Sequence, residues 1–275
     1  MEFTPINNRK DSSFYQEEME IRFCQCDASH RLKVSELFRI MTNLADMAFE
    51  FRGMDHQFLM KRRMVFLITR VSVNIHRMPL QIEKIRAATW EQSVDRAQFI
   101  RNFAVWSETG ELLAEASSGW VLVDPVLRSI LRPAQFDEAF PGFLHPQPEN
   151  LSGAPAFARL RLKETEEGAE SCPPRRIVYS DIDGNGHVDN ARYIEMAFDV
   201  LPESLTGKSP REVQIVFSRE AMPGETLSLY RKIDGEKVLT KALTKALIKG
   251  AADGKDSFLC EVTFDEYRFF HHRLL

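Results

Sequence analysis

The chain has few cysteines and no long apolar run. Its four cysteines, at positions 24, 26, 172 and 260, have no metal-site spacing, so neither a zinc site nor a disulfide framework is expected. Reduced thiols fit a cytoplasmic location. No stretch of about 18 apolar residues is present, which argues against a membrane-spanning helix. The first residues also lack the charged and apolar segments of a secretory leader, so we expect a cytoplasmic protein without a membrane partner.

A strong excess of charge of one sign is also missing. The chain has 36 Lys and Arg residues and 40 Asp and Glu residues, which gives a net charge of −4. The total charge therefore gives no indication of nucleic-acid binding. The 44% hydrophobic and 28% charged residues are typical of a globular protein, and 275 residues suffice for two ordinary domains. Two short basic clusters, Lys61–Arg63 and Arg175–Arg176, are candidate contacts for an acidic partner, although most such runs are simply solvated.

The most informative stretch runs from Tyr179 to Phe198. It begins with residues that favour turns, namely Asp181, Asp183, Gly184, Asn185 and Gly186. Asp189 or Asn190 can cap the helix that follows, whose apolar residues recur at helical spacing. The side chains of Asp183, Asn185 and His187 are therefore expected at a helix entrance, where free N–H groups favour developing negative charge.

Two other interpretations of this stretch compete with catalysis. Asp181, Asp183, Asn185, Gly186 and Asp189 fall on positions 1, 3, 5, 6 and 9 of a calcium-binding EF-hand loop. Position 12 of such a loop needs a bidentate Glu but is Arg192 here, whose charge would repel the ion, so we expect no metal. The other interpretation is a capped turn with a solvent-facing histidine, which the stretch alone leaves open.

Three blocks of sequence, in order, resemble the acyl-carrier-protein (ACP) thioesterases that end fatty-acid synthesis. Asp183-x-Asn185-x-His187-Val-x-Asn190-x-x-Tyr193-Ile194 is similar to the helix-entry motif of that family. Phe217-Ser-Arg-Glu220 is similar to the segment where the family places an acid. The third block lies in the first half, at Val65-Phe-Leu-Ile-Thr-Arg70, Thr89-Trp90, Thr109-Gly110-Glu111 and Ala116-Ser-Ser-Gly-Trp-Val121. The resemblance implies a bacterial member related to the plant fatty acyl-ACP thioesterases.

The predicted elements follow one order in both halves. The first half reads as a strand, a long helix and four strands, at Gln16–Phe23, Val34–Phe51, Met64–His76, Lys84–Gln92, Arg96–Ser107 and Leu112–Asp124. The second half reads as Arg175–Tyr179, a helix at Asn190–Leu201, and strands at Glu212–Arg219, Glu225–Lys232, Lys237–Lys249 and Ser257–Tyr267. Asp234-Gly235 predicts a turn. The segment 239–247 has helical spacing, but we expect a strand because its counterpart is one.

This order predicts an α+β fold in which each half wraps a curled antiparallel sheet around a long helix. That arrangement is the hotdog unit, and the resembled thioesterases carry two of them in tandem. We expect residues 1–140 to form the N-terminal hotdog, 141–173 a linker and 174–275 the C-terminal hotdog. Two such units side by side would pair sheet edges that are otherwise open, as a hotdog dimer does. The sequence does not decide whether the whole chain also forms a homodimer.

The second half alone holds a full catalytic set, Asp183, Asn185, His187 and Glu220. In the first half, Asp27 and His30 are expected at the positions of Asp183 and His187. Aligning Arg77-Met-Pro79 with Ala221-Met-Pro223 places His76 at the position of Glu220. The resemblance implies hydrolysis of fatty acyl-ACP to a free fatty acid, which ends chain synthesis. An acyl-CoA thioesterase and a non-catalytic acyl-binding hotdog are the alternatives.

The implied chemistry uses water and no cofactor. His187 or Glu220 can act as general base, and Asn185 can hold the carbonyl or the water. Asp183 can orient His187 or hold the loop, and N–H groups at the start of the second helix are candidate oxyanion donors. Many relatives have a cysteine directly after the acid, but this chain has Ala221, which excludes a nucleophile at that position.

The first helix is expected to bind the acyl chain. Its candidate lining residues are Met41, Ala45, Met47, Ala48 and Phe49, and its methionines are flexible enough to adjust to an alkyl tail. The acidic acyl carrier protein is the expected partner, with no nucleic acid.

Overall fold

A computed structural model describes residues 6–146, 154, 156–238 and 241–265 of the chain. It divides the chain into two compact units, Met1–Phe157 and Ala158–Leu275, called here the first and second unit. The boundary between them falls inside the range 141–173 that was expected to be a linker. No helix in the described ranges is long and apolar enough to cross a membrane.

The first unit combines one long helix with an antiparallel sheet. Its elements are β1 (Tyr15–Glu20), α1 (Val34–Phe51), α2 (His56–Met60), β2 (Val65–Ile75), β3 (Lys84–Asp95), β4 (Gln98–Ser107), β5 (Leu112–Asp124), β6 (Ser129–Leu131) and α3 (Pro133–Ala139). The strand order is β1-β3-β4-β5-β2, and β6 pairs with β5. Helix α1 packs against β1 and β3.

Helix α1 has the bounds that its apolar pattern predicts. Leu37, Met41, Leu44 and Ala48, which recur at helical spacing, are buried, so one face of α1 is part of the core. Near the end of the helix, Arg52 and Arg101 both contact the buried carboxylate of Glu91, and these contacts join α1 to β3 and β4. Burial lowers the pKa of Arg101 to about 10.

The second unit repeats the design with a shorter helix. Its elements are β7 (Ala169–Arg176), α4 (Asn190–Asp199), β8 (Pro210–Phe217), β9 (Thr226–Val238), β10 (Lys241–Ala252) and β11 (Lys255–Asp265). The strand order is β8-β11-β10-β9-β7, again antiparallel, and α4 packs against β11. The two units confirm the expected α+β class, in which a helix and an antiparallel sheet occur twice.

Two expectations for the second unit need correction. The turn predicted at Asp234-Gly235 is wrong, because both residues lie within β9 and pair with Lys245 and Thr244 of β10. The connection between these strands falls at residues 239–240, outside the described ranges. Strand β7 begins at Ala169, inside the expected linker.

The strand expected at 239–247, a segment with helical spacing, is confirmed from Lys241 onward. Pairing in the sheet outweighs helical propensity there.

Candidate active site

Asp183 organises the loop that leads into α4. Its Oδ1 accepts hydrogen bonds from the backbone N–H groups of Asn185, at 2.8 Å, and His187, at 3.1 Å. The Asp183 N–H in turn donates to the His187 carbonyl at 2.8 Å, and Gly186 takes a positive φ of 80° to close the turn. Of the two roles considered for Asp183, these bonds favour holding the loop, because its carboxylate binds the backbone of His187 rather than the imidazole.

The carboxylate of Asp181 binds groups that precede this loop in the chain. It is fully buried, and its Oδ1 accepts a hydrogen bond from Arg175 at 2.8 Å while its Oδ2 accepts one from the Val178 N–H at 2.8 Å. The residue at the first position of the calcium pattern is therefore already paired. Within the described ranges, no group of three or more His, Cys, Asp or Glu side chains is placed to hold a metal ion.

Asp189 is the residue that caps α4. Its side chain accepts a hydrogen bond from the Ala191 N–H at 2.9 Å, and its carbonyl accepts one from the Arg192 N–H at 2.8 Å. Two of the first N–H groups of the helix are thus already satisfied. The N–H groups of Ala191 and Arg192 are therefore not free to act as oxyanion donors, as had been expected of the helix start.

His187 and Glu220 meet although they lie on different loops. His187 Nδ1 is 3.2 Å from Glu220 Oε1, and their side chains are 41% and 46% exposed. Glu220 follows β8, whereas His187 precedes α4. Of the four predicted catalytic residues, these two are in direct side-chain contact. A carboxylate beside an imidazole that water can reach is suited to accepting a proton from water.

Asn185 lies two residues before His187 in the same loop, and its side chain is held weakly. Its Nδ2 is 3.5 Å from Asp183 Oδ2, at the limit of a hydrogen bond, and the residue is exposed. The amide side chain is therefore available to an incoming ligand.

The loop that carries Glu220 is fixed by the side chains of Arg219, Glu225 and Tyr193, for which the sequence predicted no role. Arg219 donates two hydrogen bonds to Glu225, at 3.1 and 3.0 Å, and Glu225 accepts a third from the Met222 N–H at 2.9 Å. The Ala221 N–H donates to the Tyr193 hydroxyl at 3.0 Å. Burial raises the pKa of Tyr193, so this hydroxyl stays protonated at neutral pH.

The first unit contains the same loop with different side chains. Asp27 Oδ1 accepts hydrogen bonds from the N–H groups of Ser29, at 2.8 Å, and Arg31, at 3.1 Å, as Asp183 does from the corresponding residues. Ser29 thus corresponds to Asn185, and Arg31, not His30, corresponds to His187. His30 takes the place of Gly186, and it has the same kind of positive φ, 58°.

The position equivalent to Glu220 also needs correction. In the first unit Arg77 binds Glu83 through two hydrogen bonds, at 2.9 and 2.8 Å, with the six-residue separation of Arg219 and Glu225. This recurring spacing was the signal that could have revealed the pair. It aligns Met78, not His76, with Glu220, and His76 instead contacts Glu115.

The two loops of the first unit are joined to each other. The Leu32 N–H donates to the Pro79 carbonyl at 2.8 Å and the Gln81 N–H to the His30 carbonyl at 2.9 Å, which makes a β-bridge between Arg31 and Leu80. In the corresponding part of the second unit, 183–188 and 219–222, the described backbone has no such hydrogen bonds between the loops. The bridge of the first unit therefore has no counterpart in these segments, where His187 and Glu220 make a side-chain contact between the loops.

The five predicted acyl-chain residues do not share one side of α1. Met41, Ala45 and Ala48 are buried, with 4%, 6% and 2% of their surface exposed. Phe49 packs edge-on against Phe66, at a ring distance of 5.4 Å. Met47 is 38% exposed, because it projects from another side of the helix.

Two family models match the chain in order. The acyl-ACP thioesterase N-terminal domain matches residues 12–135, and the acyl-ACP thioesterase C-terminal domain matches residues 163–266. A chloroplastic palmitoyl-acyl carrier protein thioesterase of Gossypium hirsutum is 27% identical over 145 residues, which are 52% of this chain and 34% of that protein. The chloroplastic oleoyl-acyl carrier protein thioesterase 2 of Arabidopsis thaliana is 21% identical over 210 residues, 71% of this chain and 56% of that protein. The chain therefore spans about a third to just over half of the length of these plant proteins.

Solved structures with the same fold include two thioesterases. An acyl-ACP thioesterase from Bacteroides thetaiotaomicron has a TM-score of 0.73 and 23% identity, covering 94% of this chain and 100% of that one. The 12:0-ACP thioesterase from Umbellularia californica has a TM-score of 0.76 and 17% identity, covering 92% and 94%. These likenesses extend over both units and confirm the expected tandem hotdog fold.

Proposed function

Because the chain belongs to the acyl-ACP thioesterase family, we propose that it hydrolyses the thioester of fatty acyl-ACP and so ends fatty-acid synthesis. The observation that carries this proposal is the contact of 3.2 Å between His187 Nδ1 and Glu220 Oε1. Both residues lie inside the segment 163–266 that matches the family's C-terminal domain. A water molecule beside this pair has a proton acceptor within hydrogen-bond reach.

The proposed reaction needs only water as the second reactant. Water loses a proton to the His187–Glu220 pair while its oxygen attacks the thioester carbonyl. The C–S bond then breaks, and the proton held by the pair passes to the departing thiolate. Asn185, whose amide is exposed, donates a hydrogen bond to the carbonyl oxygen as negative charge develops there.

The positions of the cysteines support water rather than a thiol as the nucleophile. Ala221, where many relatives have cysteine, is fully buried. The second unit's two cysteines, Cys172 and Cys260, are also buried, and burial raises the pKa of both thiols. A thiol with a raised pKa forms little thiolate at neutral pH and is a poor nucleophile.

The direct test offers the purified protein matched panels of acyl-ACP and acyl-CoA thioesters. We expect free fatty acid from the ACP series, with a higher kcat/KM than from the CoA series of the same chain length. Mass spectrometry of the quenched enzyme should show no acyl adduct. Failure to hydrolyse any acyl-ACP would refute the proposed function, and an acyl adduct would refute the water mechanism.

Carrier recognition is proposed to involve the exposed members of the two basic clusters. Arg63 is paired with Asp124, at 2.8 Å, and Arg175 is paired with Asp181. Lys61, Arg62 and Arg176 are exposed and form no ion pair among the described residues, so they are the better candidates to meet the acidic carrier. Attraction of this kind acts mainly on the rate of encounter.

Salt should therefore weaken hydrolysis of the carrier-bound substrate. We expect kcat/KM for acyl-ACP to fall as ionic strength rises, since the Debye length shrinks from about 10 Å at 0.1 M to about 3 Å at 1 M. A small uncharged thioester analogue of the same acyl chain is the control, and its kcat/KM should change little. Equal salt dependence of the two substrates would contradict charge-assisted docking.

The acyl-chain role of α1 is likewise a proposal, now confined to Met41, Ala45, Ala48 and Phe49. Ala45→Phe is expected to shift the products towards shorter chains, because each CH₂ that is no longer buried loses about 0.8 kcal/mol, or roughly fourfold in preference. Met47→Phe, on the exposed side of the same helix, is the matched control and should leave the product distribution unchanged. Gas chromatography of the released acids measures both. A uniform loss of activity at every chain length in folded Ala45→Phe would count against this role.

A further inference from the structure

The peptide group that follows Glu220 is held at both ends. Arg219 Nη1 donates to the Glu220 carbonyl at 3.2 Å, and the Ala221 N–H of the same peptide group donates to the Tyr193 hydroxyl at 3.0 Å. Glu225, which Arg219 binds through two hydrogen bonds, accepts the next N–H, that of Met222. The backbone position of Glu220 is therefore set by Arg219, Glu225 and Tyr193.

The Glu220 side chain, in contrast, has little of its own to hold it. It is 46% exposed, and its contact in the structure is with the His187 imidazole. A glutamate side chain has several rotatable bonds, so its carboxylate meets the imidazole reliably only if the backbone beneath it stays still. The precision of the His187–Glu220 contact thus depends on groups that do not touch either side chain.

Tyr193 links this support to the helix on the His187 side. It is buried in α4, six residues after His187, and its ring packs against Phe217, at 5.7 Å, and Phe258, at 5.3 Å. Because α4 begins directly after the His187 loop, the hydrogen bond from Ala221 to Tyr193 ties the two catalytic loops to one rigid element. The first unit, which has no catalytic pair, has the Arg77–Glu83 clamp but Pro79 at the position of Ala221, and proline has no N–H to donate.

We propose that Arg219, Glu225 and Tyr193 are positioning residues, which act on catalysis by fixing the Glu220 backbone so that its carboxylate meets His187. The catalytic part of this inference rests on the proposed function. The first unit provides the matched control, because its Arg77–Glu83 clamp has the same bidentate geometry. Arg77 also binds Glu111, at 2.8 Å, so its removal should disturb the fold at least as much.

The first experiment reads the contact itself, without any substrate. The imidazole ¹⁵N and ring proton shifts of His187 are recorded in the full-length protein and identified by their loss in His187→Gln. Glu220→Gln defines the spectrum of a His187 that has lost its carboxylate partner. We expect Arg219→Met and Tyr193→Phe to move the His187 signals towards that spectrum, and Arg77→Met to leave them in place. Unchanged His187 signals in folded Arg219→Met and Tyr193→Phe would overturn the proposal.

The second experiment asks whether the effect on turnover passes through Glu220. Arg219→Met is expected to lower kcat about tenfold with little change in KM, as a displaced catalytic group does. In a Glu220→Gln background the same change should lower kcat no further, because the group it positions is already gone. Arg77→Met should leave kcat unchanged in both backgrounds. An equal loss in both backgrounds would mean that Arg219 is merely structural and would overturn the proposal.

The two experiments separate this inference from the proposed function. If the wild type hydrolyses no thioester but the His187 signals respond as expected, the function is wrong and the positioning stands. If the wild type is active but Arg219→Met and Arg77→Met shift the His187 signals equally, the positioning is wrong and the function stands. Tyr193→Phe removes one oxygen atom and keeps the ring packing, so it provides a folded variant should Arg219→Met fail to fold.

Discussion

Replacing His187 by alanine is expected to lower kcat for acyl-ACP by about 10²-fold or more, the usual cost of losing a general base. The imidazole is 41% exposed, so its removal leaves no cavity in the core, and the melting temperature should stay close to that of the wild type. Glu220→Gln keeps the size of the side chain but removes its negative charge, and a loss of similar size is expected. Steady-state kinetics with one acyl-ACP substrate measure both.

The double variant decides whether the two residues act as one unit. If the imidazole and the carboxylate share one proton transfer, His187→Ala with Glu220→Gln should be no slower than the slower single variant. His30→Ala is the matched control, because His30 is an exposed histidine on the equivalent loop of the first unit. Near-normal turnover in folded His187→Ala would remove this residue from the mechanism.

Gly250→Ala is expected to have the largest effect on stability. A Cβ at this position of β10 would lie 2.2 Å from Cε1 and 2.7 Å from Cδ1 of the Phe258 ring, which is fully buried. Forcing such a group into a packed core costs about 1–3 kcal/mol, which should lower Tm by several degrees. Thermal unfolding followed by circular dichroism measures the change.

Gly235→Ala on the neighbouring strand β9 is the control for the loss of glycine itself. A Cβ there meets nothing within 4 Å, so stability should stay the same or rise slightly. Phe258 also packs against Tyr193, so Gly250→Ala should lower kcat as well. A Tm equal to that of the wild type would show that the Phe258 ring moves aside freely.

The sequence predicted the repeated elements well because their signal is local. The bounds of α1 follow directly from apolar periodicity, and those of β5 from its strand-forming residues and the turn signal before it. The turn predicted at Asp234-Gly235 failed because turn propensity is weak beside the hydrogen bonds of a continuous strand. The short helices α2 and α3 have too few residues to show a clear period.

The site was predictable only in part. A resemblance in sequence picks out His187 and Glu220, but it does not show that they touch, since this depends on two loops far apart in the chain. The match between Met78-Pro79 and Met222-Pro223 also misled the alignment of the halves. The paired Arg77–Glu83 and Arg219–Glu225 clamps shift the alignment by two residues, and their shared six-residue spacing becomes meaningful only once the structure shows each Arg bound to its Glu.

The β-bridge between Arg31 and Leu80 bears on how stability and an open substrate site are divided between the two units. A gap between loops that admits a substrate leaves backbone groups unpaired, so an active centre is generally a weak point of a fold. In the first unit, the corresponding loops are paired through their backbones instead. Introducing histidine and glutamate at Arg31 and Met78 is therefore expected to leave the first unit inactive, because the bridge keeps the backbones of its two loops paired.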